Sequence, residues 1–402
     1  MAVATAPKSK TTINWFPWLI GLGIVALVAG RIYYLTLPEQ GFQLSFFIGA
    51  FFSSLQLGSL YALIALGYTM VYGIIRLINF AHGEIFMVGA FVAYFLFTNT
   101  PYSLPWAVFA AALSAAGFMY VINLWRGNLR DPVVLGSGAV VFIALVVALT
   151  SMQFGWILAL VLSMLITGVV GVLLDRIAYR PLRGAPRISL LITAIAMSFF
   201  LQNFGLLTFT QRQTPFRPST SWTQGLQLAV GDGTVYTTRL VFLVPVLTAV
   251  LVIGLTLFVN RTKLGKAMRA SAQDPEVAQM MGVNVNRVIA TTFLLGSMLA
   301  AAAGVLWGLS FGSLNQPAVF GILPGIKAFA AAVIGGIGSL PGAVIGGLLL
   351  GFLENFLTAI FPRTSEFQGI TEYKDTFAFA MLIIILLIRP SGIVGEDLSE
   401  KV

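Results

Sequence analysis

The sequence LVFLVPVLTAVLVIGLTLFVNRTKLGKAMRASAQDPEVAQMMGVNVNRVIATTFLLGSMLAAAAGVLWG, residues 240–308, contains the pattern that decides the fold. Two apolar stretches, at about 239–260 and 288–310, flank a basic segment at residues 261–287. Each apolar stretch has roughly the 20 residues that an α-helix needs to cross a hydrocarbon layer. Loops that stay in the cytoplasm retain Lys and Arg, so the basic segment predicts an inner loop between two membrane-spanning helices.

The rest of the chain repeats this apolar pattern. Of 402 residues, 58% are hydrophobic and 9% are charged, whereas a soluble globular protein has about 25% charged residues. Cysteine is absent and His82 is the single histidine, which excludes disulfides and two-histidine metal sites. The sequence therefore predicts an all-α, polytopic membrane protein with about 10–12 transmembrane or re-entrant helices. The apolar stretches lie at about residues 16–37, 44–75, 80–97, 105–124, 133–150, 155–174, 188–209, 239–260, 288–310, 326–340, 341–361 and 376–389.

The distribution of basic residues predicts the orientation. The apolar stretch at 16–37 is interpreted as a retained span, because it is longer than the roughly 7–15 apolar residues of a signal peptide. With the N-terminus inside, 16 of the 23 Lys and Arg residues fall on the inner side and five on the outer side. This asymmetry follows the positive-inside rule and puts both termini in the cytoplasm. The polar segment 210–238 then lies outside.

Two motifs of membrane enzymes and ATPases are missing from the sequence. It contains no HExxH and no GxxxxGK[ST] pattern, so we expect neither hydrolase chemistry nor P-loop binding of ATP in this chain. Two acids, Glu84 and Glu354, lie in or beside apolar stretches, where ionisable groups are expensive and usually functional. They leave open a second class of protein, a stand-alone ion-coupled carrier or channel.

The inner loop contains a strong signal for a helix start. Asp274 is a capping carboxylate, Pro275 suits the first helical position, and Glu276 adds an acid to the first turn. Gly282 is a suitable C-terminal stop. The intervening two-turn helix is marginal alone, so it should dock either on the lipid surface or in a groove of a cytoplasmic partner. We expect it to expose Val277, Ala278, Met280 and Met281.

The same loop resembles the coupling loop of ABC importer permeases, in which this segment contacts the ATPase subunit. Five further motifs resemble the branched-chain amino acid permease family, in particular its H-type subunit. They are YALIALGYTMVYG (61–73), INFAHGE (78–84), YRPLR (179–183), AAVIGGIGSLPGA (331–343) and PSGIVG (390–395). The resemblance assigns ATPase coupling to Arg269, Ala270, Ala272, Asp274, Pro275, Glu276, Ala278, Gly282 and Asn284.

The resemblance implies an ABC importer permease fold and a transport subunit rather than an enzyme. It implies no cofactor in this chain, because ATP would be bound by two cytoplasmic ATPase subunits. A second related permease, an extracytoplasmic substrate-binding protein and the lipid bilayer are the other implied partners, and nucleic acid is not among them. The expected cargo is a branched-chain or other neutral amino acid, and the expected location is a bacterial plasma (inner) membrane. An ABC importer permease for urea or amides is the alternative.

The resemblance covers only part of the chain. We expect the permease core at 44–97 and 155–395, with the cytoplasmic coupling loop at 261–287 inside it. The remaining parts are a cytoplasmic N-terminus with an additional first span at 1–43, an inserted helical pair at 98–154, and a cytoplasmic tail at 396–402.

Polar residues near the apolar stretches are candidates for the translocation path. Two interpretations of Asn79, His82 and Glu84 are open. They lie either at a broken helix that lines the path, or at a cytoplasmic-edge turn in which Asn79 caps a helix and Glu84 occupies its first turn. Gln202 and Asn203 would bond either an amino acid or a neighbouring helix.

Three further expectations concern helix interfaces and a charged anchor. Gly338, Gly342 and Gly346 have the spacing of four residues that lets helix backbones approach closely, within the subunit or at the seam with a second permease. Glu354 would pair with a basic group or face the path. Lys327 opens its apolar stretch and is expected to snorkel outward as an anchor.

Overall fold

The computed structural model describes residues 16–37, 42–97, 111–112, 114–120, 122–123, 131–151, 155–217, 221–230, 233–362, 370 and 373–395. Seven helices in this part of the chain are long and apolar enough to cross a membrane, and shorter apolar helices occupy Ala26–Leu35, His82–Phe97 and Pro132–Leu145. This confirms the all-α, multi-pass architecture. The expected cytoplasmic residues before 16 and the tail at 396–402 lie outside the described residues.

The helices follow the apolar stretches closely. In chain order they are α1 (Phe16–Leu35), α2 (Leu44–Ile75), α3 (His82–Phe97), α4 (Pro132–Ser151), α5 (Trp156–Leu174), α6 (Arg187–Thr208), α7 (Leu240–Arg261), α8 (Lys263–Gln273), α9 (Pro275–Met280), α10 (Val285–Phe311), α11 (Pro317–Phe320), α12 (Ile322–Gly335), α13 (Leu340–Gly351), α14 (Leu357–Ile360) and α15 (Lys374–Ile388). A π-helical turn at Asp175–Tyr179 extends α5, and a second one at Phe352–Phe356 joins α13 to α14. In the expected inserted pair, α4 occupies the place of the second helix, and much of the first lies outside the described residues.

Two long helices form the centre of the molecule. The 32-residue helix α2 is about 48 Å long, and α10 has 27 residues. Helix α10 packs against α2, α3 and α5, while α2 also packs against α7, α12 and α13. Glycines allow the closest of these approaches, because a Cβ added to Gly347 or Gly351 of α13 would overlap the backbone of Ala62 or Gly58 in α2. Small residues rather than large apolar ones therefore set the spacing of the central helices.

Two of the three glycines at spacing four lie on a helix. A Cβ at Gly342 would come within 2.5 Å of the Gly335 carbonyl oxygen, and one at Gly346 would overlap the Ala331 carbonyl. These glycines let α12 and α13 approach closely within the subunit. Gly338 differs from the expectation, because it lies in the turn before α13 with φ +99° and no described atom within 4 Å of an added Cβ. The turn requires glycine there for its backbone conformation.

The polar segment between α6 and α7 contains β-structure that the sequence analysis did not predict. Strands β2 (Gly225–Val230) and β3 (Gly233–Thr238) form an antiparallel hairpin, and β1 (Thr214–Pro215) pairs with β4 (Ser313–Leu314) after α10. Strand β3 contacts the first turns of α2. The hairpin and the coupling loop therefore lie at opposite ends of the molecule.

Candidate coupling loop and translocation path

The basic loop at 261–287 folds into two short helices. The hydroxyl of Thr262 begins α8 by accepting a hydrogen bond, at 2.9 Å, from the amide three residues on. Asp274 begins α9, because its carboxylate accepts hydrogen bonds from the amides of Glu276 and Val277 at 2.9 and 3.0 Å. Gly282 follows α9 with a left-handed φ of +83°. The sequence predicts α9 correctly but misses α8, although threonine is a typical N-cap.

The two faces of α9 differ in burial. Ala278 is only 3% exposed and packs into the hydrophobic core. The expectation that Ala278 is exposed is therefore wrong, because the helical rotation turns it toward the membrane helices. Val277, Met280 and Met281 project outward, and the two methionines are 85% and 80% exposed. We call these three apolar side chains the docking face.

Other residues of the loop motif support its shape. Ala270 and Ala272 pack against the core. The Arg269 guanidinium donates to the carbonyl of Val259 at the end of α7. Asn284 caps α10, since its side-chain oxygen accepts a hydrogen bond at 3.1 Å from the amide three residues on. These residues fix the loop against α7 and α10 and thereby orient the docking face.

Helix α3 begins inside the protein rather than at its surface. Residues 76–81 before it are not helical, and His82 and Glu84 are each only 1% exposed. Glu84 bonds Ser198 and Gln202 of α6, which lie about 16 and 22 Å along that helix from its basic end. The hydrocarbon layer is about 30 Å thick, so α3 starts near its middle. Its 16 residues, about 24 Å, are too few to cross the layer.

Glu84 lies at the centre of a buried polar cluster. Its Oε1 accepts hydrogen bonds from Gln202 Nε2 at 2.9 Å and from Ser198 Oγ at 3.1 Å. The first turn of α3 also places the carboxylate near the positive end of the helix dipole. Its Oε2 has no hydrogen-bond partner among the described residues and lies against Gly321, where an added Cβ would approach to 2.5 Å. One oxygen of the Glu84 carboxylate is thus hydrogen-bonded to α6, and the other has no partner among the described residues.

Asn79 and His82 belong to the same buried region. The Tyr179 hydroxyl donates to Asn79 Oδ1 at 2.6 Å. The His82 ring packs edge-on against Tyr68, with the ring centroids 4.7 Å apart. Asn79 is not the cap of α3, because its side-chain oxygen is bonded to Tyr179 instead. This geometry favours the broken-helix interpretation, since irregular backbone at membrane depth is tolerated where protein buries it.

Asn203 and Glu354 lie apart from the Glu84 cluster. Asn203 is exposed and donates to the carbonyl four residues earlier in its own helix at 2.8 Å. Glu354 accepts hydrogen bonds from Lys327 Nζ at 2.8 Å and from the Tyr61 hydroxyl at 2.7 Å. Lys327 also forms an ion pair with Asp375 at 2.6 Å. The expected outward snorkelling of Lys327 is therefore wrong, because two carboxylates hold its ammonium group inside the protein.

The sequence analysis missed the partners that complete these clusters. Ser198 lies within an apolar stretch and Asp375 directly precedes one, and neither carries a motif signal. Tyr61 and Tyr179 do begin two of the quoted motifs, so a signal was present at those positions. Their hydrogen bonds join residues 293 and 100 positions apart, which local patterns do not reveal.

The fold and these clusters define an α-helical membrane transport subunit. Its spans enclose polar groups at mid-layer depth, and a capped helix presents apolar side chains beyond the basic helix ends. The profile of the family described as "branched-chain amino acid transport system / permease component" matches residues 50–135 and 128–386. The chain belongs to this family. The match confirms the resemblance and favours it over the urea or amide importer and the stand-alone carrier.

Curated relatives support the same family over most of their length. The high-affinity branched-chain amino acid transport system permease protein BraD of Pseudomonas aeruginosa is 39% identical over 352 residues, covering 87% of this chain and 96% of BraD. The corresponding permease protein LivH of Salmonella typhimurium is 37% identical over 360 residues, covering 90% of this chain and 99% of LivH. The probable permease LivH of Methanocaldococcus jannaschii is 28% identical over 347 residues, covering 84% of this chain and 90% of that protein. No solved structure matches the chain.

Proposed function

We propose that this chain is the membrane-spanning permease subunit of an ATP-driven importer that passes branched-chain or other neutral amino acids to the cytoplasm. The observation that carries the proposal is the docking face of α9. Three large apolar side chains, Val277, Met280 and Met281, are exposed on a short helix beyond the membrane helices. A six-residue helix is not stable alone, and here a capping carboxylate and one buried alanine hold it in place. Such a rigid, apolar projection fits a groove on a partner protein.

The features at the two ends of the molecule indicate where each partner would bind. Cytoplasmic ATPase subunits would bind the docking face and supply all ATP binding. An extracytoplasmic binding protein would meet the opposite end, where the β2–β3 hairpin and the segment 210–238 lie. A second related permease would complete the translocation path. The positive-inside asymmetry supports both cytoplasmic termini and a multi-pass position in a bacterial inner membrane.

The proposed path includes the buried cluster of Asn79, His82, Glu84 and Gln202. These are polar groups at mid-layer depth, where ionisable residues usually mark a transport pathway. Asn203 bonds its own helix, and Glu354 is neutralised by Lys327, so neither supports a role in the path. An amino acid needs a few polar groups for its charged ends and apolar walls for its side chain, and this region supplies both.

The docking face is tested by adding charge to it. The variants Met280→Glu and Met281→Glu should lose ATPase subunits on co-purification and lose uptake of labelled leucine, because a carboxylate in an apolar groove is unpaired. Lys266→Glu is the matched control, since it places the same carboxylate at an exposed site on α8. Full uptake by both methionine variants, with ATPases retained, would contradict the proposal.

The substrate and the energy source need a separate test. Reconstituted with its ATPases, the second permease and a binding protein, the chain should import leucine only when ATP is present. The chain alone, given a proton or sodium gradient, should import none. Uptake by the lone chain would instead favour the alternative of a stand-alone ion-coupled carrier, which the intramembrane acids Glu84 and Glu354 suggested.

A further inference from the structure

A cleft opens between the coupling loop and the inner ends of the membrane helices. Its volume is about 630 Å³. One wall consists of the end of α8 and the start of α9, from Ala272 to Glu276, together with Gln279. The other wall consists of the inner ends of α2, α5, α6 and α10. The buried Tyr179 also borders the cleft, and its hydroxyl donates a hydrogen bond to Asn79.

The membrane-side wall of this cleft is largely aliphatic. Its side chains include Ile74 and Leu77 around the end of α2, Leu190 in α6, and Val285 and Ile289 in α10. Four of the five are buried in the subunit, and Leu190 is half-buried. Branched aliphatic groups line the surface against which a ligand's side chain would rest, and apolar linings of this kind are typical of small-molecule sites.

Arg76 lies at the edge of this wall in an unusual conformation. Its φ is +50°, and it is the one non-glycine residue with positive φ in the described part of the chain. A helix ending in this left-handed geometry normally has glycine there, and for other residues the conformation is unfavourable. Arg76 lines the cleft and forms no ion pair with a described residue. Backbone conformations of this kind cluster at ligand contacts and switch regions, which makes Arg76 a candidate ligand contact.

The opposite wall carries negative charge. Asp274 and Glu276 line the cleft from the coupling loop. The second arginine of the cleft, Arg183, is already engaged, since it bonds Asp175 at 2.5 Å and Asn286 at 2.7 Å. The cleft is thus lined by an unpaired cation at the end of α2, by two carboxylates of the coupling loop and by an aliphatic surface.

We infer that the cleft binds a zwitterionic aliphatic α-amino acid from the cytoplasm. Arg76 receives the carboxylate, Asp274 and Glu276 face the ammonium group, and the branched side chain rests on the aliphatic wall. A ligand held this way joins the coupling loop to the membrane helices and opposes movement between them. The inference rests on the proposed function, because it makes the imported amino acid an inhibitor of its own import when it accumulates inside.

The binding experiment uses the complete transporter in nanodiscs without its binding protein. Labelled leucine should bind saturably, and Arg76→Asn should weaken this binding by at least about tenfold, as loss of a charge-assisted hydrogen bond predicts. Asparagine tolerates the left-handed conformation, so this variant removes the guanidinium without adding backbone strain. Leu190→Trp, which fills the aliphatic wall, should also abolish binding. The carboxylate analogue 4-methylpentanoate should compete in the wild type but not in Arg76→Asn.

The regulatory part is measured as ATPase activity in proteoliposomes that contain ATP, with the loaded binding protein outside. Millimolar leucine inside should lower the wild-type rate and leave the Arg76→Asn rate unchanged, each compared with the same protein without internal leucine. Absence of saturable binding in the wild type, or equal binding by wild type and Arg76→Asn, would overturn the inference. Failure of the proposed function is a different result, namely no import of leucine by the complete wild-type transporter.

Discussion

Removal of the Lys327 ammonium group should strongly destabilise the subunit. Its ion pair with Glu354 is nearly closed to solvent, with side-chain exposures of 8% and 6%. Without Lys327 the Glu354 carboxylate keeps one short hydrogen bond, at 2.7 Å from the Tyr61 hydroxyl, and a longer ion pair, at 3.6 Å, with the half-exposed Lys374. Breaking a buried pair by removing one partner typically lowers the free energy of unfolding by about 3–5 kcal/mol. We therefore expect Lys327→Met to lower it by about 3 kcal/mol.

A comparison within the same cluster separates burial from charge. Asp375 also pairs with Lys327, but its side chain is 45% exposed. Exposed ion pairs contribute about 0–1 kcal/mol, so Asp375→Asn should change the free energy of unfolding by less than about 1 kcal/mol. The double variant Lys327→Met with Glu354→Gln should be less destabilised than the sum of the two single variants, because no buried charge is left unpaired.

The assay is unfolding of the purified subunit by titration with SDS, followed by tryptophan fluorescence. Correct insertion of each variant is checked first by its yield in the membrane fraction. Additive effects in the double variant, or a loss below about 1 kcal/mol for Lys327→Met, would refute the argument that burial makes this pair strong.

Three further predictions concern the other structural features. Asp274→Ala should lower the stability of the coupling loop by about 1 kcal/mol through loss of the α9 cap, seen as faster hydrogen exchange there, with Asp274→Ser restoring protection. Gly351→Val should prevent the close approach of α13 to α2 and reduce the yield of folded protein on size-exclusion chromatography. Gly254→Val on α7 is the control and should leave the yield unchanged, because an added Cβ there meets nothing within 4 Å. Gln202→Leu should abolish leucine import without loss of ATPase co-purification, because the Glu84 carboxylate loses the hydrogen bond that Gln202 donates at 2.9 Å. Unchanged import would show that Gln202 has no role in the translocation path.

The helices could be predicted from the sequence because their signals are local. The lengths of the apolar stretches predicted the ends of most membrane-spanning helices to within a few residues. The sequence Asp274-Pro275 predicted the start of α9. The hairpin β2–β3 was missed because a polar segment rich in Thr, Gln and Gly resembles a loop. Helix α8 was missed although its signals are also local: Thr262 is a typical N-cap, and the buried Gly265, Met268 and Ser271 recur at the spacing of one helix face.

The candidate site was harder to predict because its contacts join distant parts of the chain. The sequence marked Glu84 and Glu354 as unusual but gave no way to tell them apart. The structure separates them by their partners: Glu354 meets an ammonium group, whereas Glu84 meets neutral donors alone among the described residues. Pairing across helices decides whether a buried acid is neutralised, and no local pattern records it. The same reason explains the wrong expectation for Lys327.

Residues 76–81 connect the surface beside the coupling loop to the buried cluster. At one end Arg76 and Leu77 line the cleft beside the coupling loop, and at the other end His82 and Glu84 begin α3 near the middle of the layer. Between them Asn79 is bonded to Tyr179, which itself borders the cleft. A non-helical segment has no internal hydrogen-bond ladder to resist a change in its dihedral angles, unlike α2 and α3 on either side of it. A displacement of the coupling loop would therefore act on the start of α3 through this segment with less resistance than through the packed helices. This places the strained Arg76 and the Glu84 carboxylate on one continuous stretch of chain, which explains how a ligand in the cleft and a cargo at mid-layer depth would influence each other.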